Sequence, residues 1–326
     1  MKRIDSIQYL RGVAALLVVL QHSTGRAYGD ALWFGNIGVD IFFVISGFIM
    51  WLVGENDTPL SFILKRILRV APLYWLATLL FVFLHPSPII KTLKSLAFVP
   101  YRDAVGAISP LLTPGWTLNY EMFFYAAFAA VLFAPLRFRL AGITGVLAAL
   151  VVVGRLHVFS QAPLHVYTSP LIMEFLAGIW LCVAWRSGSL PKWLVVAVPA
   201  GLVLWVALRA IPYVEDLRPI AFGIPAAFIV TGVLASNMLR VKLLKIIGDA
   251  SYSIYLFHPF VIGVLWRFLP HMPPAAMVVV MVAVSAIVGV VIFFGLEQPL
   301  VNLVHNWRNR VMDPRPQHPG GQMQAL

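Results

Sequence analysis

Arg11 and His22 are the basic side chains of an otherwise apolar stretch that runs from Ile7 to Thr24. A guanidinium binds anions and an imidazole takes up and returns protons near neutral pH, so both could take part in catalysis. Each residue of an α-helix turns by about 100°, so His22, eleven positions after Arg11, lies on almost the same face of the helix. The two side chains are then roughly 16 Å apart along the axis. Because ionisable groups in hydrocarbon usually face a protein interior or a wet cavity, this predicts one polar channel beside the helix. The alternative is that Arg11 extends to the headgroups and His22 lies at the far membrane interface.

The elements that hold these residues are indicated by the composition. The chain has 326 residues, of which 60% are hydrophobic and 11% are charged, and its mean hydropathy is +0.87. Apolar stretches of ~20 residues recur along it, as in polytopic helical membrane proteins. We therefore expect an all-α integral membrane protein of about ten transmembrane helices, with no soluble domain. The predicted spans cover about 7–25, 34–54, 68–85, 116–134, 140–156, 168–186, 193–211, 219–237, 250–269 and 275–298.

The membrane domain is expected to cover residues 1–310, followed by a disordered tail, 311–326, that is rich in Pro, Gly and Gln. An even number of spans puts both termini on one side of the membrane, and most of the Lys and Arg residues fall on that side. The positive-inside rule then predicts that both termini are cytoplasmic. This topology accounts for the net charge of +11 without a nucleic-acid partner.

Two carboxylates are predicted to lie at the depth of His22. Asp40, in GVDIFFVISGF, follows the outer end of the second span, and Glu121, in WTLNYEMFFY, lies similarly in the fourth. A histidine beside a carboxylate is the arrangement of a general base, because the carboxylate holds the tautomer and stabilises the imidazolium. A buried ion pair, or the proton relay of a transporter, accounts for the same charges equally well.

Arg66 and Arg69, in KRILR, lie three residues apart and hence on one helical face near the cytoplasmic side. Two forked guanidiniums suit phosphate oxygens. Such a cluster is ordinarily a topology determinant or a contact to lipid headgroups, and it indicates phosphate binding only where a phosphorylated donor is expected. The sequence contains no metal-ligand spacing and no Gly-rich phosphate loop, and we expect no metal.

Three further residues are candidate substrate contacts. Trp116 and Tyr120, at the outer end of the fourth span, could contact an acceptor, although aromatic residues at such positions are more often interface anchors or core packing. His258, which precedes Pro259 in GDASYSIYLFHP, is expected near the middle of the membrane. His258 is either a catalytic residue or a packing histidine held by hydrogen bonds.

Six segments, in order, resemble the acyltransferase-3 family of integral membrane acyltransferases. They are Arg11 with ten residues before His22, GVDIFFVISGF at 38–48, KRILRVAPLY at 65–74, WTLNYEMFFY at 116–125, GDASYSIYLFHP at 248–259, and Glu297-Gln298-Pro299. The resemblance implies a helical membrane domain in the bacterial inner membrane. It also implies transfer of an acyl group, usually acetyl from acetyl-CoA, to a hydroxyl of a carbohydrate such as a lipid-linked oligosaccharide of an exopolysaccharide.

Carried over residue by residue, the resemblance makes His22 the catalytic base and Arg11 its partner in the first motif. Asp40 and Glu121 become essential polar residues near His22. Arg66 and Arg69, with Arg11, would hold the phosphates of acetyl-CoA, whose pantetheine arm would extend from Arg11 toward His22.

The expected partners are therefore an acyl-CoA, a carbohydrate acceptor, the lipid bilayer and the machinery that assembles polysaccharide. The rival hypothesis is a proton-coupled transporter or flippase for a glycan or small solute, with His22, Asp40 and Glu121 as its proton relay. Many transporters consist of two related halves with paired broken helices, and the sequence shows no such symmetry.

Overall fold

The computed structural model describes residues 4–29, 35–103, 106–208, 217–236 and 241–303. The α-helices, in chain order, are α1 (Asp5–Tyr28), α2 (Ile37–Gly54), α3 (Pro59–Leu84), α4 (Ile89–Leu96), α5 (Gly115–Val131), α6 (Leu136–Leu156), α7 (Ala162–Tyr167), α8 (Ile172–Arg186), α9 (Ala197–Leu208), α10 (Ile224–Ala235), α11 (Lys242–Asp249), α12 (Ser251–Phe268) and α13 (Pro274–Ile292). A 3-10 segment, Lys192–Val196, precedes α9, and the π-helical segments Pro219–Gly223 and Phe293–Glu297 precede α10 and follow α13. The protein is thus the all-α membrane protein that its composition predicts.

Helices occupy all ten predicted spans. Five helical stretches are long and apolar enough to cross a membrane, namely Ile37–Gly54, Pro59–Leu84, Leu136–Leu156, Ala162–Arg186 and Pro274–Leu303. Lys192–Leu208 and Pro219–Ala235 are shorter apolar helices. The remaining spans, α1, α5 and α12, carry most of the polar side chains of the candidate site. The predicted tail, 311–326, lies outside the described residues.

The third span begins earlier than predicted. The Thr58 side chain accepts a hydrogen bond from the backbone N–H of Ser61, and Pro59 occupies the first helical position, so α3 begins at 59 and not at about 68. Arg66 and Arg69 therefore lie within the helix. We call the side of the membrane at the start of α1 the inner side. Arg69 lies roughly 15 Å along α3 from the inner end of that helix.

Three other features differ from the predicted spans. The sixth span, predicted over 168–186, begins as α8 at Ile172, and the short helix α7 precedes it. Pro170 lies between the two helices and has no backbone N–H to continue a helix. Two short amphipathic helices, α4 and α11, were not predicted. On α4, Ser95 is buried and bonds the Tyr101 hydroxyl at 3.0 Å, while Ile89 is exposed. The apolar face of α4 is therefore on the outside of the protein.

Glycines set the closest helix contacts. A Cβ atom on Gly47 would lie 1.9 Å from the Phe175 carbonyl oxygen, and one on Gly178 would lie 1.9 Å from the Val44 carbonyl oxygen. The backbones of α2 and α8 are therefore in contact at both glycines, as small residues permit in membrane proteins. The aromatic ring of Phe175 also stacks on Phe43, with centroids 4.6 Å apart. This contact fixes α2, the central helix, against α8.

Replacing Gly47 or Gly178 with Ala should destabilise the protein, because the added methyl group collides with a backbone carbonyl and the two helices must separate. Overpacking of this kind costs about 1–3 kcal/mol. The measurement is thermal unfolding of the detergent-purified protein. Gly145→Ala in α6 is the matched control, since a Cβ there meets nothing within 4 Å. Equal melting temperatures for Gly47→Ala and Gly145→Ala would contradict this description of the α2–α8 contact.

Candidate active site

His22 lies at the outer end of α1 and faces a second histidine. Its Nδ1 atom is 2.9 Å from the Val18 carbonyl oxygen of its own helix. Its ring centroid is 4.8 Å from that of His258, on α12. The His22 side chain is exposed, whereas that of His258 is buried. The sequence predicted each histidine separately, and the structure brings them together.

An arginine cluster lies further toward the inner side. Arg11, Arg66 and Arg69 line one cavity of about 330 Å³ between α1, α2, α3, α5 and α12. Arg11 donates to the Gln8 side chain at 3.3 Å. The Nε atom of Arg66 is buried without a hydrogen-bond partner among the described residues, and its guanidinium lies 5.7 Å from the Phe62 ring centre. A buried guanidinium donor without an acceptor suits an anionic ligand.

Glu297 is the counter-ion of Arg69. The π-helical segment that ends at Glu297 places its side chain inside the protein, where it is 2% exposed. Its Oε2 accepts a 2.6 Å hydrogen bond from Ser253, and its Oε1 lies 3.7 Å from the Arg69 guanidinium. π-helical turns are frequent at functional sites because they redirect a side chain. The final motif, Glu297-Gln298-Pro299, thus acts on the arginine cluster.

Glu121 lies in the same inner cavity. Its Oε1 accepts hydrogen bonds from Ser46, at 3.0 Å, and from the Tyr125 hydroxyl. The positive charges of Arg11 and Arg66 act on it electrostatically. Glu121 therefore belongs with the arginine cluster.

Asp40 forms a buried ion pair that the sequence analysis did not anticipate. Its two carboxylate oxygens accept hydrogen bonds from Nε and Nη2 of Arg218 at 3.2 and 3.1 Å, and both residues are almost fully buried. Glu174, on α8 and 3% exposed, interacts electrostatically with both. The carboxyl groups of Asp40 and Glu174 and the guanidinium of Arg218 thus share a buried site. A sequence signal existed, since Glu174 and Arg218 are charged residues at the edges of apolar spans.

Trp116 and Tyr120 line a second cavity, of about 300 Å³, on another face of α5. Asn119 and Arg218 also line it, and the Arg218 guanidinium lies 5.2 Å from the Trp116 ring centre. The ring of Phe43 packs against both aromatic residues. The two predicted acceptor contacts therefore share a polar, aromatic cavity.

Two hydroxyl groups line the part of the inner cavity that lies nearest to His258. Thr117 and Tyr255 both line that cavity, and their hydroxyls are 2.7 Å apart. The Tyr255 hydroxyl also lies 3.0 Å from the Pro114 carbonyl oxygen. The ring centroid of Tyr255 is 6.1 Å from that of His258. The arginine cluster and the histidine pair are thus connected through α5 and α12.

The predicted meeting of His22, Asp40 and Glu121 in one layer is wrong for the described residues. Asp40 points toward Arg218, on the side of α2 that faces α8 and α10. Because Tyr255 contacts Pro114, α5 begins deep in the membrane, and Glu121 lies about one turn further inward than Thr117. The sequence analysis estimated the depth of each side chain by counting residues from the ends of the predicted spans. That count shows neither the direction in which Asp40 points nor the level at which α5 begins.

The arrangement can bind an anion at its inner end and handle a proton at its outer end. A carbonyl oxygen only accepts hydrogen bonds, so the contact with Val18 assigns the proton of neutral His22 to Nδ1. The lone pair then lies on Nε2, as a general base requires. Phosphate binding at the inner end and base chemistry at the outer end are typical of group transfer from a phosphorylated donor.

Comparison with known proteins identifies the class. A family model described as an acyltransferase domain matches residues 4–294. The chain therefore belongs to this acyltransferase-3 family, and it is a membrane-embedded acyltransferase.

Individual relatives agree with this class. The chain is 38% identical to the exopolysaccharide production protein ExoZ of Rhizobium meliloti over 84% of this chain and 92% of ExoZ. It is 25% identical to the acyltransferase MdmB of Streptomyces mycarofaciens over 96% of both chains. It is also 26% identical to the peptidoglycan O-acetyltransferase OatA of Listeria monocytogenes, over 92% of this chain but 56% of OatA. No solved structure matches the chain.

The buried cluster of Asp40, Glu174 and Arg218 leads to a prediction about the stability of the protein. Arg218→Met should destabilise the protein more than Asp40→Asn, because it leaves two buried carboxylates without a cation, whereas Asp40→Asn leaves Glu174 to pair with Arg218. Removing one partner of a buried ion pair costs about 3–5 kcal/mol. Thermal unfolding in detergent measures this, with the exposed Arg267→Met as control. A smaller loss for Arg218→Met than for Asp40→Asn would contradict the role given to Glu174.

Proposed function

We propose that this protein moves an acetyl group from cytoplasmic acetyl-CoA to a hydroxyl of a bacterial cell-surface or exopolysaccharide glycan, with His22 as general base. The observation that carries the proposal is the cavity that holds Arg11, Arg66 and Arg69 and extends to Tyr255, beside the histidine pair. An anionic donor held at the inner end would extend its thioester toward the base at the outer end.

The chemistry of the arginine cluster supports a coenzyme A donor. Three guanidiniums face two carboxylates, Glu121 and Glu297, so the cluster keeps an excess of positive charge in a poorly solvated cavity. Phosphate oxygens are the ligands that forked guanidiniums bind best. The apolar side chains of α2 that line the same cavity, such as Phe42 and Ile45, suit the pantetheine arm.

In the proposed reaction, His22 Nε2 removes the proton of the acceptor hydroxyl as its oxygen attacks the thioester carbonyl carbon. The new C–O bond forms, the C–S bond breaks, and the sulfur leaves with the bonding electrons. The proton then passes to the sulfur, so coenzyme A departs as a thiol and His22 returns to its neutral form. Direct transfer is the proposed route, and a covalent acyl-histidine intermediate is the alternative.

The acceptor assignment is supported by two relatives, one named for exopolysaccharide production and one for peptidoglycan O-acetylation. Trp116 and Tyr120 are the proposed sugar contacts, since aromatic rings and the amide of Asn119 suit the apolar faces and hydroxyls of a sugar. A lipid-linked oligosaccharide, supplied by polysaccharide assembly machinery, would reach the site from the outer side. His258 would contact the substrate beside His22.

Donor access from the cytoplasm fits an inner-membrane protein with both termini cytoplasmic, because the arginine cluster then faces the coenzyme A pool. The transporter hypothesis loses its basis for two reasons. The chain belongs to an acyltransferase family, and Asp40 and Glu121 are engaged with Arg218, Ser46 and Tyr125 and do not form a relay with His22 among the described residues.

The donor site is tested by titrating acetyl-CoA into the purified protein. Arg66→Ala with Arg69→Ala should weaken binding by about tenfold to hundredfold, since charge-assisted hydrogen bonds contribute about 1.5–3 kcal/mol each and Arg69 is partly exposed. Arg137→Ala, which removes an exposed arginine outside the cavity, should bind as the wild type does. Unchanged affinity in the double variant, shown to be folded, would refute the donor site.

The base is tested by His22→Ala and His22→Gln in an assay of acetyl transfer from radiolabelled acetyl-CoA to a glycan acceptor. Both should lose at least about 100-fold in rate, the usual contribution of general base catalysis. Acetyl-CoA affinity should stay near that of the wild type, because His22 does not line the arginine cavity. Full activity in either variant would exclude His22 as the base.

A further inference from the structure

The cavity that holds the arginine cluster ends before it reaches the histidines, since neither His22 nor His258 lines it. Four of its lining residues lie furthest toward the outer side on their helices, and we call them the outer wall: Val39 and Phe42 on α2, Thr117 on α5 and Tyr255 on α12. A donor held by the arginine cluster would place its acyl group against this wall, on the way to the base.

Three residues of the outer wall are buried, and two of them are held by hydrogen bonds. The Tyr255 hydroxyl lies 2.7 Å from the Thr117 hydroxyl and 3.0 Å from the Pro114 carbonyl oxygen. Val39 is buried as well, whereas Phe42 is half-buried. The Phe42 ring is therefore the part of the wall that borders the open space of the cavity. The wall carries no charge, so it suits an apolar acyl chain.

Phe42 lies between the arginine cluster and the base. Its ring packs edge-on against that of Tyr255, with centroids 5.9 Å apart and ring planes inclined at 64°. It also packs against a small apolar cluster that includes Ala15 and Val19 of α1. These two residues precede His22 by about two turns and one turn of the same helix. The Phe42 ring thus stands beside the path that the acyl group would take toward His22.

We propose that Phe42 limits the length of the acyl group that the protein transfers, because its ring occupies the space at the outer wall that a chain longer than acetyl would need. The inference rests on the proposed function and deepens it, since it assigns the selectivity for the acyl group to one side chain. The ring cannot move aside without losing its edge-on contact with Tyr255. One extra methylene group in an apolar pocket changes selectivity by about 10–200-fold.

The experiment measures the dissociation constants of acetyl-CoA and butyryl-CoA by isothermal titration of the detergent-purified protein. The wild type should bind butyryl-CoA at least about tenfold more weakly than acetyl-CoA, because the two additional methylene groups meet the Phe42 ring. In Phe42→Ala the ring is reduced to a methyl group, so the two constants should become nearly equal. Phe42→Leu, which removes less volume, should give a ratio between those of the wild type and Phe42→Ala.

Ile49→Ala is the matched control. Ile49 is also a half-buried apolar residue of α2 that lines the same cavity, and it lies about two turns further inward than Phe42. This variant enlarges the cavity away from the outer wall, so its ratio of the two constants should equal that of the wild type. An equal change of the ratio in Ile49→Ala and Phe42→Ala would overturn the inference, because the effect would then not depend on the outer wall.

The ratio of two dissociation constants for one preparation does not depend on the fraction of protein that is folded. Free coenzyme A gives a second check, since both Phe42 variants should bind it as the wild type does: the arginine cluster lies at the other end of the cavity. A wild type that binds butyryl-CoA as tightly as acetyl-CoA, or a ratio that is the same in the wild type and Phe42→Ala, would also refute the role of Phe42.

The same titrations separate the two hypotheses. If the wild type binds neither coenzyme A nor acetyl-CoA, the proposed function fails, and the inference fails with it. If the wild type binds acetyl-CoA and loses it in the Arg66→Ala, Arg69→Ala double variant, but Phe42→Ala leaves the ratio unchanged, only the inference about Phe42 fails.

Discussion

The cost of holding charge inside a membrane is the constraint on which this structure depends. A lone guanidinium or carboxylate in hydrocarbon is unfavourable by several kcal/mol, so each must meet a counter-charge, a hydrogen-bond donor or a polar cavity. Asp40 meets Arg218, and Glu297 meets Ser253 and Arg69. These pairs join helices that are distant in the chain, so the packing around α2 and α12 follows from where the charges are placed.

Much of the fold could be read from the sequence, because a membrane span is a local property. Twenty apolar residues specify a helix wherever they occur, and helices occupy all ten predicted spans. The start of α3 was missed because a Thr58 cap followed by Pro59 is a local signal that hydropathy averages out. Because of that error, Arg66 was placed at the inner end of the span, whereas it lies about two turns inside α3.

The candidate site was predicted less well, because a side chain's depth does not determine the direction in which it points. His22 and Arg11 were correctly placed on one helix, and the histidine pair required a contact between α1 and α12 that no periodicity reveals. Asp40 was assigned to His22, whereas it pairs with Arg218, a contact between distant parts of the chain that only the fold determines. Glu121 was placed too near the outer side, because α5 starts deep in the membrane, at the level where Pro114 meets Tyr255.

The separation of the two charged regions has a consequence for the chemistry. Coenzyme A phosphates are held best by guanidiniums, and a base works best as a neutral imidazole, but a guanidinium beside that imidazole would oppose its protonation. The structure keeps them apart with a neutral layer, the Thr117 and Tyr255 hydroxyls, between the arginine cluster and the histidines. A long flexible donor can bridge this layer, whereas a compact phosphorylated donor could not. The spacing of Arg11 and His22 on one helix is therefore the feature of the sequence that best fits a donor with a long arm.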